Sequence, residues 1–359
     1  MIHVDTTEID FKEIVDATAS NVTRCVDREL GSPILQCERE FYESIRASLA
    51  GWLMLSPSAI EQKFKWMMDK HEAFTVYASG RLDSMTGHLD AVRLRHYEKE
   101  WGRHLGTKKG VSSGRKSNVP RHCKCKYCTV SQRAKRVFSW ATFTRKKAEE
   151  GRSLAARFVR KIGLVVCPYC ARNYIAPLHV GEDDIYRPDL DHFYAQSIYP
   201  YFGLCLNNLI PSCSACNFRI KHDADFMLKG YFHPYLNEVP EGLFSVEGFG
   251  LIESEVVRSE SIKIKINDSL NESVARSAEF FHLKLAYDVH VGEVSDFVTS
   301  LRVYPDEVLE ERAQAIGVDP TLFKLSLRRS TNADVEYKKR PLGKLLRDLY
   351  QFATIKRPI

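Results

Sequence analysis

The feature that most constrains this chain is a pair of Cys-x-x-Cys motifs that lie 43 residues apart. Each motif places two sulfurs on one side of a tight turn, and four thiolates complete a closed tetrahedral zinc site. The segment between the motifs is too short to be held together by burial alone, so a metal would fasten its two ends. Four buried free cysteines would need this paired spacing to arise twice by chance. The sequence therefore predicts a structural Zn²⁺ with four ligands: Cys167, Cys170, Cys213 and Cys216.

An acid, an imidazole and an amide accompany these motifs. Asp191 and His192 are adjacent within the loop, and Asn217 directly follows its last cysteine. Hydrolysis of a phosphodiester with one metal needs a general base, a hard divalent ion and oxygen ligands for that ion. His192 is the candidate base because imidazole titrates near neutral pH. Asp191 and Asn217 are predicted to offer oxygens to a catalytic Mg²⁺ or Mn²⁺.

Each of these residues also has a simpler interpretation. An adjacent Asp and His is usually a surface pair, and Asn217 alone could cap a helix. The hydrolytic interpretation is favoured because the acid and the base lie inside one zinc-closed loop. Asn208 follows His192 by 16 residues. A buried asparagine there is predicted to position the loop through hydrogen bonds rather than to bind metal.

A second group of cysteines has the sequence His-Cys-Lys-Cys-Lys-Tyr-Cys. One interpretation is a second Zn²⁺ site with the ligands His122, Cys123, Cys125 and Cys128. Adjacent ligands strain tetrahedral geometry, so His104 or His96 is an alternative ligand, and a basic loop without metal is another interpretation. The remaining cysteines lack partners at ligand spacing and are predicted to pack as small apolar residues: Cys25, Cys37 and Cys205.

Positive charge is concentrated in one segment. The whole chain has a formal net charge of +6, whereas residues 101–161 contain 18 Lys or Arg and two acids. A basic block beside a Cys/His module is the electrostatic footprint of a phosphate-backbone binder. A solvated linker and a docking face for an acidic partner are the alternatives. The candidate nucleic-acid contacts in this block are Lys108, Lys109, Arg115 and Lys116.

Composition favours a globular chain. With 359 residues, 44% hydrophobic and 27% charged, it can bury a sizeable core. The N-terminal residues lack the basic and apolar segments of a signal peptide, and no apolar run approaches the roughly 20 residues of a membrane span. Cysteines at metal-ligand spacing suit a reducing compartment better than a disulfide scaffold. We therefore expect a cytoplasmic protein without membrane contact.

Hydrophobic periodicity divides the chain into four regions. They are a helical N-terminal region (1–105), a basic linker and helix with the second cysteine group (106–160), the metal core (161–235), and C-terminal strands and helices (236–359). Predicted helices cover residues 38–54, 89–104, 131–162, 271–301, 306–316 and 335–352, and predicted strands cover 244–255 and 262–266. The expected fold class is α+β, a small metal-centred core between helical flanks.

At these motifs the sequence resembles the HNH endonuclease family, whose ββα-metal fold arranges a hairpin, a loop and a helix around one divalent ion. The resemblance runs through both Cys-x-x-Cys motifs, the Asp-His pair, the Asn-Leu at position 208 and the asparagine after the last cysteine. It implies that His192 is the general base, that Asp191 and Asn217 bind the catalytic metal, and that Asn208 is the central asparagine. The zinc-stapled ββα-metal core is the fold expected for residues 161–235.

The surrounding sequence looks closest to a subgroup found in bacterial antiphage systems, similar to the HNH partner of the ATPase in Septu-like systems and in some retrons. This resemblance covers about residues 155–352 and is specific only in the core. Two departures stand out. Ala195-Gln196 replaces the usual Pro-Lys, and the spacer after Asn217 is one residue longer. Lys221 is therefore a provisional phosphate ligand, and His222 could contact the metal instead.

These features predict a metal-dependent endonuclease that cleaves DNA or RNA as the effector of an antiphage system. A separate ATPase partner is expected because the chain has no Gly-x-x-x-x-Gly-Lys-Ser/Thr loop. One alternative is a sequence-specific restriction endonuclease, in which the N-terminal helices and the second cysteine group recognise bases. The other is a non-catalytic zinc-ribbon protein that only binds nucleic acid.

Overall fold

The computed structural model describes residues 1–105, 124–145, 152–180, 183–247, 262–267, 271–328 and 336–355. Its helices are α1 (Lys12–Leu30), α2 (Gln36–Arg46), α3 (Leu49–Leu53), α4 (Pro57–Lys70), α5 (Glu72–Ser79), α6 (Ala91–Leu105), α7 (Lys126–Val137), α8 (Trp140–Thr144), α9 (Leu154–Ile162), α10 (Glu272–Phe280), α11 (Leu283–Asp288), α12 (Val291–Val303), α13 (Asp306–Ala315), α14 (Pro320–Arg328) and α15 (Gly343–Ile355). Its strands are β1 (Leu178–Val180), β2 (Asp183–Tyr186), β3 (Asp189–His192), β4 (Leu209–Ser212), β5 (Phe244–Glu247) and β6 (Lys263–Ile266). A π-helix covers Ala215–Lys221, and short 3₁₀ turns cover Asp83–His88, Pro200–Phe202, Leu206–Asn208 and Glu336–Lys339.

The strands form three separate antiparallel pairs, β1 with β2, β3 with β4, and β5 with β6. In the last pair, Phe244 lies opposite Ile266 and Val246 opposite Ile264, and all but the half-buried Ile266 face the core. Alternation of buried and exposed side chains is what makes this pair recognisable from sequence. Helices with small sheets are consistent with the predicted α+β class, while the predicted strand beyond position 247 lies outside the described residues.

The N-terminal region is helical as predicted, but one expected helix is two. A turn at Ala47 and Ser48 separates α2 from α3. In this turn the Ser48 amide donates to the carbonyl of Ile45 (3.0 Å). The turn redirects the chain, and the side chains of Phe41, Ile45, Leu49 and Leu53 are nevertheless all buried. Periodicity identified the buried face correctly, and the turn between its two halves was the part it missed.

The predicted basic helix over residues 131–162 is wrong in its continuity. The described parts of this segment form α7, α8 and α9. Ser139 accepts a hydrogen bond from the amide of Thr142 (3.4 Å), and Ser153 accepts one from the amide of Ala156 (3.2 Å). Serine side chains that cap the first turn start new helices at both points. Residues 146–151 lie outside the described part.

A similar correction applies near the C-terminus, where the helix expected over 271–301 is α10, α11 and α12. His282 adopts a left-handed backbone (φ +50°) between the first two, and such a residue ends helical hydrogen bonding. The other predicted helices agree with α6, α13 and α15 to within a few residues, except that the 335–352 prediction includes Pro341 ahead of α15.

The buried side chains form a main hydrophobic cluster that joins the N-terminal helices, the cysteine module and the C-terminal helices. Trp52 of α3 is central to it: its indole Nε1 donates to the carbonyl of Tyr201 (2.8 Å), and its own carbonyl accepts from the thiol of Cys205 (3.1 Å). The loop between β3 and β4 is thereby fixed on the N-terminal helices. Within the described ranges, no helix is both long enough and apolar enough to cross a membrane.

Candidate functional site

The two Cys-x-x-Cys motifs meet in space. Their four sulfurs, from Cys167, Cys170, Cys213 and Cys216, all lie within 4.8 Å of one another, and the four residues are buried. Zn–S bonds of about 2.3 Å in a tetrahedron set neighbouring sulfurs about 3.8 Å apart, so the cluster has the right size for one ion. The arrangement could hold a metal such as zinc, in agreement with the sequence prediction.

Backbone hydrogen bonds shape the first of the two turns. The amide of Ala171 donates to the carbonyl of Cys167 (2.8 Å), and the amide of Cys167 donates to the carbonyl of Asn173 (3.0 Å). Ala171 has a left-handed backbone (φ +52°) that returns the chain toward the cluster. The Asn173 side chain then donates from Nδ2 to the sulfur of Cys213 (3.2 Å), which stabilises negative charge on that sulfur.

The four thiols differ in acidity before any metal is considered. Burial raises the pKa of Cys167 well above that of an ordinary thiol. Hydrogen bonds from Cys167, Cys170 and Cys216 lower the pKa of Cys213, and Asn173 adds to this effect. A dication would bind all four as thiolates, with release of the remaining protons.

The second cysteine group is only partly described. Cys125 lies at the N-cap of α7, where its sulfur accepts a hydrogen bond from the amide of Cys128 (3.4 Å). His122 and Cys123 lie outside the described residues, as do Lys108, Lys109, Arg115 and Lys116. Among the residues that the structure describes, the four-cysteine cluster is the one group of three or more His, Cys, Asp or Glu side chains that could hold a metal. Of the three isolated cysteines, Cys205 is buried and Cys25 and Cys37 are partly buried.

The hairpin of β3 and β4, with the π-helix that follows it, brings three predicted hydrolytic residues together. Asp191 and His192 end β3, opposite Ile210 and Leu209 of β4. Asn217 lies on the π-helix, one residue after the last cysteine. All three line an open cleft of about 240 Å³. The other residues that line this cleft are Ala195, Gln196, Ser197, Phe218, His222 and Asp223.

Asp191 has both carboxylate oxygens engaged. Oδ2 accepts a hydrogen bond from the hydroxyl of Tyr169 (2.5 Å), and Oδ1 lies 3.0 Å from Nζ of Lys221. The residue is only 2% exposed. Burial of a carboxylate is tolerable when a cation and a hydroxyl donor satisfy it, as they do here. A carboxylate oxygen with this orientation still has lone pairs available for a second ligand.

His192 is held in one tautomer. Its Nε2 donates to the carbonyl of Gly203 (2.9 Å), so the lone pair is on Nδ1. The indole of Trp140 packs edge-on against the imidazole, with 4.6 Å between ring centroids. Burial lowers the pKa of His192 to about 4, although the negative charge of Asp191 and the hydrogen bond to Gly203 oppose the shift. The imidazole is therefore neutral at physiological pH, as a general base must be.

Asn208 is fully buried and makes three hydrogen bonds within the loop between β3 and β4. Its Oδ1 accepts from the amide of Tyr194 (2.7 Å), and its Nδ2 donates to the carbonyls of Tyr194 (3.1 Å) and Phe202 (3.0 Å). These contacts fix the chain just after His192 and just before Gly203. Asn208 is thus buried and hydrogen-bonded across the loop, and its role as a positioning residue stays a prediction.

Lys221 follows the longer spacer after Asn217 that the sequence shows, and its side chain points into the protein. The π-helix closes with a hydrogen bond from the amide of His222 to the carbonyl of Asn217 (2.7 Å), and such a turn accommodates one more residue than an α-helix. Nζ of Lys221 reaches Asp191 and also donates to the carbonyl of His192 (2.7 Å). None of its side chain is exposed. The structure therefore gives no support to Lys221 as a phosphate ligand.

His222 and Asp223 form the rim of the cleft. His222 is exposed, and its Nδ1 lies 2.8 Å from Oδ1 of Asp223. Arg81 donates from Nη1 to the other oxygen of Asp223 (2.7 Å). Hydrogen bonds from His222 and Arg81 lower the pKa of Asp223, so this carboxylate is charged and paired.

Three residues of the site were not identified from the sequence. Tyr169 offered a signal, since it lies between the cysteines of the first motif and carries a hydroxyl. Trp140 and Gly203 offered none: one contacts His192 from a helix in another region, and the other acts through a backbone carbonyl. Comparison of the chain with protein-family models, with curated proteins and with solved structures gives no match.

Proposed function

We propose that this protein is a metal-dependent endonuclease whose β3, β4 and π-helix form a ββα-metal core of the HNH type. The observation that carries the proposal is the meeting of Asp191, His192 and Asn217 in one open cleft. The hairpin supplies two of these residues and the following helix the third, which is the order that the family resemblance implies. The four-cysteine cluster beside the cleft supports the same assignment.

His192 is the general base of the proposed reaction. Its Nε2–H is committed to the carbonyl of Gly203, so Nδ1 accepts the proton of the attacking water. A neutral imidazole is ready for this role without prior loss of a proton. Trp140 covers one edge of the ring and excludes solvent from it. Through its hydrogen bonds to Tyr194 and Phe202, Asn208 keeps in place the loop that presents the Gly203 carbonyl to His192.

Asp191 and Asn217 would hold the catalytic Mg²⁺ or Mn²⁺. One carboxylate and one amide oxygen suit Mg²⁺, which takes few protein ligands and keeps several waters. The ion would supply charge neutralisation at the scissile phosphate. Tyr169 orients the Asp191 carboxylate from the protein side through its hydroxyl, and this leaves the cleft side for the substrate.

The substrate in this proposal is DNA or RNA. The basic segment of residues 101–161 provides charge for phosphate contacts, and its described helix α8 brings Trp140 to the base. The resemblance to antiphage nucleases extends the proposal to a cytoplasmic defence role with a separate ATPase partner. Zinc is the metal proposed for the cysteine cluster.

A second candidate is a zinc-containing protein that binds nucleic acid without cutting it. It is favoured by the enclosure of Asp191, whose two oxygens are already satisfied by Tyr169 and Lys221. An internal ion pair of this kind can be purely structural.

One experiment separates the two candidates. The purified protein is incubated with plasmid, single-stranded DNA and total RNA in Mg²⁺, in Mn²⁺ and in EDTA, beside His192→Ala. We expect metal-dependent cleavage of at least one substrate, reduced by a factor of about 10² to 10⁴ in His192→Ala, with nucleic-acid binding retained. Binding without cleavage by the wild type, or cleavage that His192→Ala does not reduce, would favour the non-catalytic candidate or another base.

A further inference from the structure

Lys221 is an unusual feature of the cleft because its ammonium is wholly enclosed. Nζ lies 3.0 Å from Oδ1 of Asp191 and 2.7 Å from the carbonyl of His192. It also lies 5.0 Å from the ring centroid of Phe226, in cation–π range. Lys221 therefore bridges the two residues at the end of β3, and its charge belongs to the site rather than to the surface.

The π-helix is what directs the lysine inward. The hydrogen bond from the His222 amide to the Asn217 carbonyl widens this turn by one residue. His222 then leaves the helix with φ +48°, a strained value for a side-chain-bearing residue. A strained exit and a widened turn both persist only where the surrounding contacts hold them, and the buried ion pair of Lys221 is such a contact.

Each carboxylate of the cleft has a cationic partner within the protein. Two carboxylates line the cleft, Asp191 and Asp223. Lys221 pairs with the first, and Arg81 pairs with the second and also with Asp83. A divalent ion that enters the free protein would therefore meet, at Asp191, a carboxylate already shared with a buried cation.

We propose that Lys221 is an internal counter-ion that keeps the divalent-metal affinity of Asp191 low until a substrate phosphate enters the cleft. The inference rests on the proposed function, since it takes Asp191 as a metal ligand. The entering phosphate supplies negative charge in place of the Asp191 charge that Lys221 neutralises. Metal and nucleic acid then bind with positive coupling, and each tightens the binding of the other by the same factor.

The test measures Mn²⁺ binding to the zinc-loaded full chain by electron paramagnetic resonance. Every protein carries His192→Ala so that added nucleic acid, of the class that the wild type cleaves, stays intact. Lys221→Gln removes the charge and keeps hydrogen-bond donors, and Lys221→Arg keeps the charge. Lys229→Gln is the matched control, because Lys229 pairs with Asp225 and is half exposed on the same segment.

Without nucleic acid, we expect Lys221→Gln to bind Mn²⁺ at least tenfold more tightly than the parent, with Lys229→Gln and Lys221→Arg like the parent. Nucleic acid should tighten Mn²⁺ binding at least tenfold in the parent and by less than threefold in Lys221→Gln. Equal or weaker Mn²⁺ binding by folded Lys221→Gln overturns the inference, while cleavage by the wild type leaves the proposed function standing.

Folding is checked by thermal melting and zinc content. If Lys221→Gln does not fold, the parent alone decides: the same Mn²⁺ affinity with and without nucleic acid overturns the inference, and coupling of tenfold or more supports it. If the wild type neither cleaves nucleic acid nor binds Mn²⁺ in either condition, the proposed function and the inference both fall.

Discussion

The hydroxyl of Tyr169 donates a hydrogen bond of 2.5 Å to Oδ2 of Asp191. Tyr169 stands between Cys167 and Cys170, so one side chain connects the cysteine cluster to the cleft. Disorder at the cluster would therefore displace the carboxylate. This link predicts that metal loss at the cysteines and loss of cleft function occur together.

Cys213→Ser should abolish zinc binding and unfold the cysteine module. Structural zinc contributes about 10 to 16 kcal/mol in small peptides, which is comparable to the stability of a whole domain. Zinc content by mass spectrometry and the thermal midpoint measure the effect. Cys25→Ser, which alters a cysteine outside the cluster, should keep both values. A Cys213→Ser protein that is folded and retains full zinc would contradict the assignment.

Cleavage should persist to an unusually low pH. Burial lowers the pKa of His192 to about 4 from an ordinary value of 6.5, so kcat/KM should fall only as the pH drops through about 4. Trp140→Ala exposes the ring and should move this fall upward, toward 6.5. Trp66→Ala, at a tryptophan packed on His71, serves as the control. If kcat/KM falls at the same acid pH in Trp140→Ala and in the wild type, burial by Trp140 is excluded as a cause of the lowered pKa of His192.

The same desolvation has a consequence for stability. Between pH 6.5 and about 4, the unfolded chain binds a proton at His192 that the folded chain does not. The free energy of unfolding is therefore at its full value above pH 6.5 and decreases as the pH falls through this interval. Urea unfolding at several pH values measures it, and His192→Gln should flatten the dependence.

Asn208→Ala should destabilise the protein by roughly 2 to 5 kcal/mol, because it leaves buried backbone groups of Tyr194 and Phe202 without partners. Asn207→Ala is the matched control: its amide bonds the carbonyl of Leu55 (3.0 Å) from a partly exposed position. Denaturant unfolding compares the two. Equal losses of stability would mean that the three hydrogen bonds of Asn208 stabilise the fold no more than the contacts of Asn207 do.

Asn217→Ala should raise the Mg²⁺ concentration needed for half-maximal cleavage by about tenfold or more, since the amide oxygen is a proposed metal ligand. His222→Ala tests the alternative ligand on the rim of the same cleft and should leave this concentration unchanged. The reverse pattern would transfer the metal-binding role to His222. Metal titrations of the cleavage rate distinguish the outcomes.

The basic block should bind nucleic acid through phosphates. Its substitution variant replaces Lys108, Lys109, Arg115 and Lys116 by Ala. On duplex DNA the slope of log affinity against log salt should flatten by roughly 0.9 for each phosphate that the variant no longer neutralises, with an unchanged cleavage pattern. The control replaces exposed lysines outside the block: Lys12, Lys65, Lys70 and Lys284. Identical slopes for the two variants would instead favour a docking face for an acidic protein.

The chemistry of the cysteine cluster was predictable from sequence because metal ligands come in short local spacings. A spacing of two residues brings the two sulfurs of each motif together. A metal that binds both motifs then brings all four sulfurs together, whatever the flanking fold. The placement of Asp191, His192 and Asn217 followed in the same way, since each lies within or next to the loop that the motifs close. Their meeting in one cleft agrees with that expectation.

The orientation of Lys221 was not predictable, since it depends on one widened helical turn. One extra residue in that turn decides whether the ammonium of Lys221 reaches solvent or Asp191. Residue spacing alone does not reveal a π-helix. The contact of Trp140 with His192 and the carbonyl of Gly203 were also hidden. They depend on how distant segments pack, and such contacts leave no periodic signal.

The loop that carries Gly203 rests on Trp52, about 150 residues earlier in the chain, through the carbonyl of Tyr201 and the thiol of Cys205. On a ribosome, the helices that support this loop emerge first. The Gly203 carbonyl that fixes the tautomer of His192 lies in this loop, so its position depends on those helices. A clipped chain that lacks these helices would retain the cysteines and an imidazole, but the imidazole would not be oriented. For the proposed nuclease, proteolytic loss of the N-terminal helices would thus remove the orientation of the base while leaving its side chain present.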